Sequence, residues 1–239
     1  MKYYDSNGIL REFSVTEPFD SGGNAEVFKI ENNTQVLKKY KDPLQQTKWK
    51  IDYELFEILK HINNFHFIHL LERYYDYMKY SEDSINCIKE WPEWSLIDAY
   101  TYDYVEEDKI DLLTMPIDYL LTNLDEMEKL FFSFAKEGIT VGDLTANNVV
   151  LNQNGIVIID PDGFSIRTIR MEDDYSRVLK VNREWLCDLF RSLLNQNHSY
   201  EKTFSLFNER KLVGSDNMTS IVAKKLRPYQ KTIDYIKAR

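Results

Sequence analysis

Apolar and polar positions along the first 40 residues fall into short β-rich runs, EVFKI (26–30) and QVLKKY (35–40). SGGN and ENNT, whose Gly, Asn and Ser content marks turns, separate them. This predicts strand, turn, strand. From about Thr47 the period lengthens: Leu55, Ile58, Leu59 and Ile62 recur at helical spacing, and Asn63–Asn64 end the run. Phe67, Leu70, Leu71, Tyr74, Tyr75 and Met78 repeat that spacing and predict a second helix over 66–80, broken by SEDS at 81–84. SINCIKEW and SLIDAYTYDYV, rich in β-branched and aromatic residues, predict a hairpin turning at Pro92. PIDYLLTNL (116–124) and DEMEKLFFSFAKEG (125–138) predict two helices, the latter with Asp125 as N-cap and Gly138 as C-terminal stop. In ITVGDLTANNVVLNQNGIVIIDPDGF (139–164) short strands flank an Asn154–Gly155 turn, and VNREWLCDLFRSLL (181–194) is an amphipathic helix. Strands with one or two helices, then helices around a small hairpin, form an α+β order in two lobes, 1–105 and 106–239.

Composition narrows the class. Of 239 residues, 43% are hydrophobic and 29% charged, with only 8 Gly and 6 Pro, which is the make-up of a folded chain able to bury a core. Its 30 Lys and Arg against 39 Asp and Glu leave a formal charge of −9, a poor basis for unspecific nucleic-acid binding. The charge is uneven: 81–126 carries 13 acidic and 2 basic side chains, and 223–239 carries 6 basic and 1 acidic. No apolar run approaches the roughly 20 residues of a membrane-spanning helix. MKYYDSNGILREF lacks the apolar run and small-residue cleavage site of a secretory leader. With Cys87 and Cys187 the only cysteines, the expectation is a cytoplasmic protein in a reducing compartment. The histidines 61, 66, 69 and 198 show no metal-ligand spacing beyond a loose His66/His69 pair.

The densest set of metal-competent oxygens is Asp143, Asn148 and Asp160. An Asp at a strand-to-loop junction, an Asn after a short loop and an Asp ending the strand IVII can converge at one end of a hairpin. One amide and one carboxylate, completed by water, suit Mg²⁺ bound with substrate phosphates, leaving the other Asp to take a proton. Upstream, Gly22 and Gly23 sit in a turn that lets backbone N–H groups approach phosphate oxygens. Val36 and Lys38 share one face of the following strand. An inward lysine needs an anionic partner, which Glu54 on the next helix is placed to supply, with Glu57 as the alternative.

Glycine turn, strand lysine, helix glutamate, Asp-x4-Asn loop and strand-ending Asp stand in the order found in protein-kinase-like phosphotransferases, which the chain resembles over about residues 12–195. SGGNAEVFKI is similar to the G-x-G-x-x-G-x-V loop, with Gly22 at the middle glycine, Ala25 and Asp20 in place of the other two, and Val27 at the valine. VLK resembles V-A-I-K, VGDLTANN resembles H-R-D-L-x-x-x-N, and IIDPDG resembles the D-F-G region. The resemblance implies a two-lobed kinase-like fold, with an antiparallel sheet and helix αC in the first lobe and a mostly helical second lobe. It further implies ATP and Mg²⁺ as cofactors. Lys38 would meet the α- and β-phosphates and pair with Glu54, Asp143 would be the catalytic base, and Asn148 and Asp160 would be metal ligands. Backbone groups from Tyr104 to Glu106 would meet the adenine.

The chain also departs from the pattern. Val141 and Gly142 replace His and Arg, the glycine matching the H-G-D of aminoglycoside- and choline-type phosphotransferases. Thr145 stands where Ser/Thr kinases carry a lysine, and Asp162–Gly163 offers a second register for the metal-binding Asp. The expected activity is transfer of the γ-phosphate of ATP to a hydroxyl, with Ser or Thr of a protein as first choice. A small-molecule phosphotransferase and a pseudokinase scaffold are the alternatives.

Overall fold

Seven strands, all paired antiparallel with their neighbours, make one sheet in the order β2-β1-β6-β7-β5-β4-β3. The strands are β1 Lys2–Asp5, β2 Leu10–Glu12, β3 Asp20–Ser21, β4 Ala25–Ile30, β5 Gln35–Tyr40, β6 Leu70–Asp76 and β7 Ala99–Asp103. This is a computed structural model and describes residues 1–15, 17–30, 34–41, 51–90, 97–107 and 117–195. They fall into two units, Met1–Val105 with Asp162–Ser165, and Glu106–Pro161 with the residues from Ile166 onward. Among the described residues no helix is long and apolar enough to cross a membrane.

Alternation along β4 and β5 sends side chains to two different environments. On one face Phe28, Ile30 and Leu37 pack with Tyr3, Tyr74 and Ala99, and Met1, Phe13 and Val15 close over them. On the other, Tyr40 and Tyr100 meet at a tilt, and Phe56 of helix α1 (Tyr53–Lys60) packs edge-on to Tyr100. Asp52 caps α1 by accepting the Leu55 N–H at 2.8 Å, and Leu55, Phe56 and Leu59 form its buried stripe. Arg73 of β6 fastens the helix to the sheet. Its guanidinium pairs with Glu57, donates to the Tyr75 hydroxyl at 2.9 Å and lies over the Tyr53 ring.

Two elements expected from the sequence exchange identities here. Residues 66–80 hold no helix: 70–76 is the strand β6, third in the sheet. Its consecutive apolar residues imitate a helical stripe because both faces of this inner strand are buried, Tyr74 in one cluster and Tyr75 in another with Tyr4 and Ile85. The segment expected as the first strand of a hairpin is instead helix α2, Glu82–Glu90. Ile85 and Ile88, three residues apart, face the Tyr4–Tyr75 cluster, and Ser81 Oγ accepts the Ser84 N–H at 3.2 Å at its start. The Pro92 turn lies outside the described residues; the second expected strand is β7.

In the second unit one helix, α3 (Ile117–Lys136), replaces the two expected over 116–138. Asp125 is exposed on its outer side rather than capping it, while Leu124, Met127, Leu130, Phe131 and Phe134 are buried. Helix α4 (Glu172–Asn195) packs along α3, and Arg183 donates two hydrogen bonds to Glu128 Oε1, at 2.6 and 3.0 Å. Between them in sequence lie the two-residue strand β8 (Ile139–Thr140), a 3₁₀ turn at Ala146–Asn148, and the hairpin β9 (Val149–Asn152) and β10 (Gly155–Ile158), which turns at Asn–Gly as expected.

Gly138 ends α3 at φ 74°, and its N–H returns to the Ala135 carbonyl at 3.1 Å. A Cβ there would collide with the Arg167 carbonyl oxygen, whereas one on Gly22 would meet nothing within 4 Å. Gly138→Ala is therefore expected to cost about 3 kcal/mol in urea unfolding and Gly22→Ala under about 0.5 kcal/mol.

Candidate functional site

Lys38 lies directly across β4 from Val27 and across β7 from Tyr100, so all three share the sheet face covered by α1. It is 5% exposed. At that depth an ammonium requires an anion. The partner is Asp162, whose Oδ2 is 2.9 Å from Lys38 Nζ. The other carboxylate oxygen, Oδ1, accepts the Tyr40 hydroxyl at 2.7 Å. Tyr40 is two residues along the same strand as Lys38, and strand alternation alone points both side chains at one carboxylate.

This corrects the expected Lys38–Glu54 pair. Glu54 is exposed, off the Leu55–Phe56–Leu59 stripe, and the alternative, Glu57, is engaged by Arg73. The first turn of α1 presents its acidic residue to solvent because the stripe that seats the helix runs through its neighbours.

The glycine turn stands at the end of the same sheet. Gly22 N–H donates to the Ala25 carbonyl at 3.0 Å, closing the turn between β3 and β4, and neither Gly22 nor Gly23 has anything within 4 Å of where a Cβ would sit. The turn's outer side is open. Tyr104, just past β7, spends its N–H on the Thr34 carbonyl at 2.9 Å, which takes that donor out of the set expected to meet a base. Its ring lies 4.0 Å from Lys29 Nζ and edge-on to Phe19. Glu106 is exposed.

Asp143, Asn148 and Asp160 belong to the second unit. Asp143 is exposed and has φ 49°, a left-handed backbone that among the described residues no other non-glycine adopts. Such strain persists where its surroundings over-determine it. Two contacts do so. Asn148 Nδ2 donates to the Asp143 carbonyl at 2.5 Å, pinning the loop from its far end. Ahead of it, Val141 N–H donates to Asn182 Oδ1 at 2.8 Å and Asn182 Nδ2 donates to the Ile139 carbonyl at 3.0 Å.

Asn182 is fully buried on α4, and sequence reasoning passed over it. The signal was there: an amide interrupts the stripe of Val178, Leu186, Leu189 and Leu193, all buried. Asn123 does the same for the hairpin from α3, accepting the Ile156 N–H at 2.7 Å.

Ile159 N–H donates to the Asn148 carbonyl at 3.0 Å, extending the β9–β10 pairing by one step, so Asp160 follows directly on that contact. With its amide nitrogen donating to Asp143, Asn148 keeps its side-chain oxygen as an acceptor. An amide oxygen and a carboxylate at one hairpin end are hard donors of the kind Mg²⁺ takes. Among the described residues no three His, Cys, Asp or Glu side chains group as a metal site.

Neither a protein-family model nor a curated protein matches the chain.

Removing one member of the Lys38–Asp162 pair strips a buried charge of the opposite charge 2.9 Å away. Lys38→Met and Asp162→Asn are each expected to cost about 3 kcal/mol in urea unfolding, and the double variant clearly less than the sum.

Proposed function

We propose that the chain is a protein-kinase-like phosphotransferase, moving the γ-phosphoryl group of ATP to a hydroxyl, with Ser or Thr of a protein as the acceptor. The observation that carries this reading is the buried Lys38 ammonium, paired with Asp162, whose other oxygen accepts the Tyr40 hydroxyl, on the strand β5 that pairs with the strand leaving an open glycine turn. A cation fixed in this way, next to a turn with room for phosphate oxygens, suits a polyphosphate. The reading takes the sheet unit as the N-lobe and the helical unit as the C-lobe of a kinase-like fold.

In the reaction the acceptor oxygen forms a bond to the γ-phosphorus, the bond from that phosphorus to the β-bridging oxygen breaks, and ADP leaves with the electron pair. The acceptor's proton passes to the Asp143 carboxylate. Asp143 suits this role because the backbone of its loop is held from both sides, by Asn148 and through Val141 by Asn182, so the base of its side chain is placed before substrate arrives. Asn148 and Asp160 would hold Mg²⁺, which when bound neutralises phosphate charge. Lys38 orients the phosphates, and Asp162 and Tyr40 keep the lysine in place.

The test is incubation of the purified chain with Mg²⁺ and γ-labelled ATP, beside Asp143→Asn and Asp160→Ala. Wild type is expected to label itself or an added protein, and each variant to lose at least about 100-fold of that rate. Label that appears only when an aminoglycoside or amino alcohol is supplied assigns the acceptor to small molecules. Nucleotide binding without transfer to any acceptor identifies a scaffold and overturns the proposal.

A further inference from the structure

Lys41, one residue past β5, reaches back to the glycine turn with its side chain. Its Nζ donates to Ser21 Oγ at 2.9 Å and to the Gly22 carbonyl at 2.7 Å. Its own N–H donates to the Asn24 carbonyl at 3.0 Å, so backbone and side chain grip opposite arms of the turn. Both Nζ partners are neutral oxygens, and among the described residues no carboxylate pairs with this ammonium. The nearby acidic groups are engaged elsewhere. Glu26 faces Lys39 at 3.6 Å, and Asp20 accepts the N–H of Ser21 at 2.8 Å.

The turn itself has unused donors. Among the described residues neither the Gly23 nor the Asn24 N–H makes a hydrogen bond, and the side of Gly22 and Gly23 where a Cβ would sit is open. An exposed ammonium without a counter-charge, beside two free N–H groups, is a cationic cradle of the kind that binds phosphate oxygens. Lys38 cannot do this alone, because its ammonium is already neutralised by Asp162.

We infer that Lys41 is a second phosphate-binding cation, exchanging its contacts with Ser21 and Gly22 for the terminal phosphates of a nucleoside triphosphate held over the glycine turn. This rests on the phosphotransferase reading and deepens it. Triphosphate then binds more tightly than the bare nucleoside chiefly through two lysines of different kinds, one buried and paired, one exposed and unpaired.

The experiment is calorimetric titration of wild type, Lys41→Met, Lys41→Gln and Lys41→Arg with Mg²⁺-ATP, with adenosine and with inorganic tripolyphosphate. Melting curves establish that each variant is folded. The expected result is about tenfold weaker ATP and tripolyphosphate binding in Lys41→Met and Lys41→Gln, unchanged adenosine binding, and near-complete recovery in Lys41→Arg. The ATP affinity of those two variants should also fall less steeply with salt than that of wild type, because one ionic contact is gone.

Equal ATP affinity in all four proteins overturns the inference while leaving the phosphotransferase reading intact. Equal losses for ATP and adenosine also overturn it, since Lys41 would then only shape the turn. A wild-type chain that binds neither ATP nor tripolyphosphate overturns both readings.

Discussion

A lysine ammonium buried on the face of a sheet sets the terms for the rest of the first unit. Lys38 is brought inside by strand alternation, because Val36 and Tyr40 on the same side belong in the core. An unpaired charge at that depth costs several kcal/mol, so the fold has to deliver an anion. It does so with Asp162, a residue 124 positions later in the sequence, whose second oxygen is taken by Tyr40. Asp162–Ser165 consequently belongs with the sheet, and Phe164 packs near Phe67 at a ring separation of 6.3 Å. An ion pair at Asp162 and the burial of Phe164 thus hold the same short loop against the sheet.

The second unit solves a related problem with neutral groups. The Asp143 loop has a strained residue at its centre, and two helices hold the backbone around it through side-chain amides. Asn182 on α4 takes the segment before the loop and Asn123 on α3 takes the hairpin after it. A buried amide offers both a donor and an acceptor without the desolvation cost of a charge, which suits a position lined by backbone. Burying these amides amid leucine and phenylalanine commits α3 and α4 to one register against the loop, so packing and chemistry share a single set of contacts.

Much of this could be read from the residues. Turn chemistry at Asn154–Gly155, the stop at Gly138, the strands around the glycine turn and the inward Lys38 are local properties, and local properties are what sequence encodes most directly. The failures share one cause. At Tyr74 and Tyr75, and again at Ile85 and Ile88, the identity of the element depends on how many of its faces are buried, a fact of tertiary structure. Glu54 was misassigned for the same reason: spacing locates a residue on a helix, but only packing decides which stripe turns inward. Asn182 stands out as an amide in an apolar stripe, but its partners, the backbone of Ile139 and Val141, and those of Lys41, Ser21 and Gly22, lie about 20 to 40 residues away and are set by the fold.

If the buried Lys38–Asp162 pair and the glycine turn answer to the same phosphate ligand, hydrogen–deuterium exchange with and without Mg²⁺-ATP reports it at two peptides, one covering Ser21–Asn24 and one covering Asp162–Ser165. Nucleotide is expected to slow exchange in both, and Lys38→Met to abolish the effect at the second while weakening it at the first. Slowed exchange elsewhere in the chain with neither peptide affected would contradict it.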